Sequence, residues 1–155
     1  METLYLAHNF SSRKVIRKWE LRLEGKYNIN LDNPFYDHDR NDIATLDALK
    51  DGSKKQAKYF KERNTRDMVD IIVEGDLKLI RKSDGIVSKI TSPSIGTSME
   101  IIMAARVYGI PVYVITKTVA YHPWIKKHAT KIFSTQKEFE AYVEKKWGRK
   151  KWVRI

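Results

Sequence analysis

The chain has no cysteine, only four prolines and seven glycines, and no long apolar run. Each shortage excludes something. Without cysteine there is no disulfide framework, no thiolate nucleophile and no Cys-ligated zinc. The longest nearly apolar run, residues 110–115, is far short of the ~20 residues that span a bilayer. The first ten residues, METLYLAHNF, lack a basic n-region and enough apolar length for a signal peptide, so the expectation is a soluble, cytoplasmic protein with no membrane association. His8, His38, His122 and His128 show no metal-ligand spacing, and neither a metal nor any other cofactor is expected. Signatures for the α/β-hydrolase nucleophile, for dinucleotide binding and for the P-loop are missing as well.

Cations are what the chain has in excess. Thirty Lys and Arg against nineteen Asp and Glu give a net charge of +11 over 155 residues, while 42% apolar residues suffice for the core of one domain. Such a balance favours anionic partners: nucleic acid, phosphorylated metabolites or acidic surfaces. Part of the excess is local. Residues 145–155 carry Lys and Arg without an acid, with Trp147 and Trp152 interleaved. This basic C-terminal tail, residues 148–155 beyond a domain of 1–147, is either solvated or a contact for single-stranded nucleic acid through charge and stacking.

The hydrophobic spacing predicts strands alternating with helices. A strand at residues 4–7 runs into His8-Asn9-Phe10-Ser11-Ser12. A helix then places Val15, Trp19 and Leu23 on one face, with Ile16 beside them, Ser11 or Ser12 as its cap and Gly25 as its stop. A second strand over 28–32 ends at Asn33-Pro34. Residues 37–67 form a polar insertion with one or two exposed helices. A helix over 68–82 follows, with Val69, Ile72, Val73, Leu77 and Ile80 on one face. Strands over 86–91, 110–115 and 131–134 alternate with helices over 98–108 and 136–147, Gly109 stopping the first of these. The fold class is therefore α/β: a single Rossmann-like, flavodoxin-like domain with about five mainly parallel strands and helices on both faces.

In such folds the loops after the strands meet at one sheet edge, where ligands bind. Three loops qualify, at residues 8–12, 33–37 and 92–97. In the third, Ser94 and Thr97 supply hydroxyls, Gly96 permits close approach, and a helix start offers free N–H groups and a positive dipole end. This is either an anion cradle or a plain cap. Glu100, placed in the first turn of that helix, is expected to be ionised by the dipole; it is either an exposed first-turn acid or a carboxylate able to attack an anomeric carbon. Asp76 is either a surface acid or a second carboxylate facing the same cleft, in which case the two supply an ionised group and a proton donor.

The stretch from Asp76 to Ile101, D-L-x-x-I-x-x-S-D-x-I-V-x-x-I-T-x-P-S-x-G-T-x-x-E-I, resembles the nucleoside 2-deoxyribosyltransferase superfamily, most of all its branch of 2′-deoxynucleoside 5′-monophosphate N-glycosidases. Leu4-Tyr5-Leu6-Ala7 with Phe10 is similar to that family's first strand and loop, and the passage from Ala104 to Val114 to its next helix and strand. The resemblance implies that Glu100 is the catalytic glutamate acting at C1′. Asp76 would assist departure of the base, and Tyr5 would orient the glutamate. Ser94, where transferases for free nucleosides tend to carry Asp, would accept a 5′-phosphate, since a carboxylate there would repel the dianion. Gly96, Thr97, Asn9 and Ser11 complete the expected substrate contacts. The first loop departs from the family's Gly-rich form. The family's site is commonly completed by a neighbouring subunit after the fourth strand, which implies a homo-oligomer; residues 121–128 show no clear match there, with His122 and Lys126 the available side chains.

The expected function is hydrolysis, or transfer, at the N-glycosidic bond of a 2′-deoxynucleoside 5′-monophosphate, with a small-molecule nucleotide as substrate. Two alternatives stand beside it. One is a nucleoside 2-deoxyribosyltransferase exchanging bases on free deoxynucleosides. The other is a non-catalytic module that binds nucleotides or nucleic acid, which the charge and the tail favour and the set Asp76, Ser94 and Glu100 disfavours.

Overall fold

Strands Glu2–His8 (β1), Ile29–Asp32 (β2), Gly85–Lys89 (β3), Val112–Ile115 (β4) and Lys131–Phe133 (β5) form one sheet in a computed structural model that describes residues 1–37, 47–50 and 52–151. The order is β2-β1-β3-β4-β5, and every neighbouring pair is parallel. The helices are Arg13–Lys26 (α1), Lys54–Arg63 (α2), Arg66–Lys82 (α3), Ile95–Ile102 (α4), Pro123–His128 (α5) and Gln136–Trp147 (α6). From β1 the chain goes to β2 on one side, then returns to β3 on the other. The loops after β1 and β3 therefore diverge at the switch point of the sheet.

Alternation along β1 divides the core. Leu4 and Leu6 pack with Ile16, Trp19, Leu23, Phe139 and Val143 under α1 and α6. Tyr5 and Ala7 point the other way, to Leu79, Ile80, Ile101 and Ala104 under α3 and α4. Burial on both faces is why the central strands read as continuous apolar runs.

Several expectations are corrected. Val15 is 68% exposed; the buried face of α1 carries Ile16, Trp19 and Leu23 instead. On α3 only Leu79 and Ile80 are buried, and Val69, Ile71 and Val73 stand in solvent, because only the C-terminal end of the helix joins the core over the sheet. The next helix starts at Ile95, not at residue 98, with Ser94 as its cap, and continues through a π turn at Met103–Tyr108. Gly109, at φ 62°, takes the left-handed conformation that ends it. Helix α5 occupies a stretch read as loop; Pro123 opens it at a position where the missing N–H costs nothing.

Of the polar insertion, α2 is described, while residues 38–46 and 51 lie outside the described residues. So do residues 152–155, including Trp152. The chain just before them is not a loose tail. Asn28 N donates to Gly148 O at 3.0 Å, Lys150 N to Lys26 O at 3.0 Å, and Arg149 bridges Tyr27 antiparallel at the sheet edge. Trp147 packs edge-on against Tyr113 and Tyr142.

Candidate active site

At the switch point Tyr5, fully buried on β1, donates its hydroxyl to Glu100 Oε1 of α4 at 2.7 Å. The bond links the middle of the sheet to the helix above it. Glu100 falls in the second turn of α4, so the dipole of the helix start does not hold it ionised as expected. Burial dominates instead and raises its pKa to about 7; the Tyr5 hydroxyl pulls the value down, and the charge of Asp76 pushes it up. Asp76 is half-buried on α3 and near enough for this repulsion. A phenol and two carboxyls from three elements thus share one field. Near neutral pH Glu100 exchanges a proton while remaining within reach of a donor.

The start of α4 lies one turn away. The Ser94 hydroxyl makes no cap bond, although its carbonyl accepts from Ser98 N at 3.0 Å and from Ser98 Oγ at 2.8 Å. The first-turn amides have no partner within the helix, and the space beside Gly96 is open to 4 Å. Thr97 turns inward. It is 3% exposed, and its hydroxyl, like that of buried Ser88 on β3, has no hydrogen-bond partner among the described residues.

Asn9 acts through its side chain. Its amide donates to Ser92 O at 3.2 Å and Ser92 Oγ at 3.0 Å, tying the loop after β1 to the loop after β3. Ser11 is exposed on the short turn Phe10–Ser12. The loop after β2 is held in part by residues of α1, Glu20 and Arg17, that were not singled out from the sequence. His8 Nε2 meets Asn33 Oδ1 at 3.4 Å, and the His8 ring stands edge-on to Phe35. Asn33 in turn donates to Glu20 Oε2 at 2.7 Å, and Glu20 pairs with Arg17 at 2.6 Å. Burial lowers the pKa of His8 and raises that of Glu20 to about 8. The available signal was an acid beside Trp19 on the buried face of α1.

Beyond Phe10 the rings of Phe10, Phe35 and Phe60 meet edge-on, at 5.6 and 5.5 Å. They line a cavity of about 540 Å³ that Val69, Ile72 and Arg63 complete. Among the described residues no three His, Asp or Glu side chains converge as a metal site, and no helix is long and apolar enough to cross a membrane.

This is a single α/β domain with the flavodoxin-like fold of deoxyribosyltransferases. It is similar to a 2-deoxyribosyltransferase from Bacillus psychrosaccharolyticus, with TM-score 0.60 and 18% identity over 97% of this chain and 99% of that one. It is also similar to a CMP N-glycosidase from Clostridium botulinum, with TM-score 0.48 and 17% identity over 92% of this chain and 98% of that one. At 18% identity the likeness to the transferase concerns the fold alone. No protein-family model matches the sequence, and no curated protein matches it by sequence.

Burial of Glu100 has a consequence for stability. A carboxyl with pKa about 7 in the fold and about 4.5 unfolded binds more protons when folded, so its contribution to stability falls as pH rises through that window. Glu100→Gln removes this cost. At pH 8 the variant should be more stable than the parent by about 1–3 kcal/mol, and the gap should close as pH falls to about 4.5. Urea denaturation at both pH values measures it; a difference that does not change with pH would contradict the buried carboxyl.

Proposed function

We propose that the protein is an enzyme that cleaves, or transfers across, the N-glycosidic bond of 2′-deoxynucleoside 5′-monophosphates. The observation that carries the reading is the 2.7 Å bond from Tyr5 to Glu100 at the switch point, with Asp76 in the same field. In this mechanism ionised Glu100 attacks C1′, and a C1′–O bond forms as the C1′–N bond breaks. Asp76 relays a solvent proton to the base as it departs, and takes a proton back from the water or second base that attacks next. Water, or a second base, then attacks C1′ and frees Glu100. Tyr5 holds the carboxylate in line. The base rests against Phe10, Phe35 and Phe60.

Ser94 and the amides of Gly96 and Thr97 receive the 5′-phosphate, with Asn9 keeping the adjoining loop in place and Ser11 at the mouth. The free Ser94 hydroxyl and the uncrowded helix start support this choice over a free nucleoside.

The reading includes a homo-oligomer. Ile95 and Met99 on α4 and Trp124 on α5 are 84%, 62% and 63% exposed around an apolar cavity of about 220 Å³ lined in part by Ile101 and Ile125. A second copy covering this face would bring α5 toward its partner's Glu100 helix. Sedimentation should show a dimer or larger assembly that the paired changes Met99→Glu and Trp124→Glu dissociate; a monomer in the parent would remove this part.

Chromatography of deoxynucleosides, ribonucleosides and their monophosphates after incubation, with and without added base, tests the activity. Glu100→Ala should lose at least ~10²-fold in rate while staying folded. Ser94→Ala should lower kcat/KM for the monophosphate by roughly 10- to 150-fold, the worth of a charge-assisted hydrogen bond, and leave the free nucleoside nearly unchanged. A parent that turns over nucleosides at least as well as monophosphates would move the reading to a nucleoside transferase. Absence of all turnover would move it to a binding module.

A further inference from the structure

We propose that the end of the molecule opposite the Tyr5–Glu100 cleft is a docking surface for the phosphate backbone of nucleic acid. In a parallel sheet, each helix that leads from one strand to the next ends where a strand begins. The last turns therefore gather at one end, and here they are basic. Lys26 closes α1, Arg81 and Lys82 close α3, and Lys145 and Lys146 close α6. Arg106 lies in the π turn before β4, and Lys127 in the last turn of α5 before β5. All are exposed.

Cations at helix ends have an ordinary reason, since they complement the dipole. That reason does not extend to Lys131, which begins β5, or to Arg149, Lys150 and Lys151, which lie beyond α6. Yet the docking of the chain at Tyr27 and Lys26 brings these last three to the same end. The acids there are few. Asp84, which accepts from Thr3 N at 2.9 Å, Glu24, which accepts from Leu31 N at 2.6 Å, Glu144, paired with Arg149 at 2.6 Å, and Glu2 stand against the larger set of cations.

The geometry favours a nucleic-acid backbone over a lipid surface. A helix that binds a membrane lies in its plane with an apolar face inward, whereas these helices meet the surface end-on. Of the exposed large hydrophobics among the described residues, Met1 and Val107 fall at this end, and Trp124 stands beside Arg106 and Lys127 with its ring stacked on His128. Helix C-termini presented end-on cannot enter a groove to read bases, and Trp147 is occupied by Tyr113 and Tyr142. Binding is then to phosphates alone, indifferent to sequence. Across five strands spaced ~4.8 Å apart the surface is ~20 Å wide, enough for about five phosphate contacts on a duplex.

Fluorescence anisotropy of the full chain with a labelled 20-nucleotide single strand and the matching duplex, from 50 to 200 mM KCl, tests this. About five contacts on the duplex predict a slope of log affinity on log salt near −4.5, a fall of roughly 500-fold across that range. The fourfold change Lys82→Glu, Lys127→Glu, Lys145→Glu and Lys150→Glu should abolish binding. An equal reversal on exposed α2, Lys54→Glu, Lys55→Glu, Lys58→Glu and Lys61→Glu, should leave most of it. Thermal unfolding checks that both fold; the milder pair Lys131→Ala and Lys150→Ala should shallow the slope by about two contacts. Three outcomes overturn the proposal: no binding at 50 mM, equal losses in both fourfold variants, or capture by vesicles containing phosphatidylserine without binding to either nucleic acid.

Discussion

The hydrogen bond between Tyr5 and Glu100 is the contact on which the rest of the site depends. It needs a strand at the centre of the sheet, a helix laid over it, and a switch point that leaves their upper ends uncovered. The order β2-β1-β3-β4-β5 supplies all three. The bond also fixes the chemistry available, because a carboxyl taken out of water and held by one phenol remains near its own pKa at neutral pH. Asp76 adds to the same tension from α3, and the arrangement trades stability for a group ready to gain or lose a proton.

Around this pair the other loops are held by short polar bridges. Asn9 joins the loops after β1 and β3, and the chain His8, Asn33, Glu20 and Arg17 locks the loop after β2 to α1. The charges of the molecule are sorted along the same axis. The two carboxyls whose pKa values rise most, Glu100 and Glu20, lie toward the upper edge of the sheet. Cations outnumber acids where the strands begin. A parallel topology makes such sorting simple, since it sends the ends of the helices that connect strands to the same side.

Much of this was legible in the sequence. Doubly buried strands announce themselves as apolar runs, and residues 8–12, 33–37 and 92–97 followed from strand ends alone. The bond between Tyr5 and Glu100 was foreshadowed by the family resemblance, not by spacing. What could not be read depends on tertiary surroundings. Pro93 and Gly96 resemble loop residues, yet here Pro93 precedes a cap and Gly96 sits inside the first turn, so Glu100 moved from the first turn to the second and its charge state changed with it. Val15 and Ile16 are equally apolar, and only the angle at which α1 meets the sheet buries one of them. The lock on Asn33 draws on three segments, none distinctive alone. Residues 148–151 read as a tail, either solvated or a contact for single strands, because their docking rests on backbone hydrogen bonds, which composition does not record.

The central claim is that Glu100 is a desolvated carboxyl held by Tyr5. Carbon-13 NMR of the protein labelled at glutamate side-chain carboxyls measures this directly, with the Glu100 resonance assigned by its loss in Glu100→Gln. The account predicts a midpoint near pH 7 that moves higher in Tyr5→Phe, where the stabilising hydroxyl is gone, and lower in Asp76→Asn, where the repelling charge is gone. A midpoint near the ordinary carboxylate value of about 4.5, unmoved by either substitution, would contradict it.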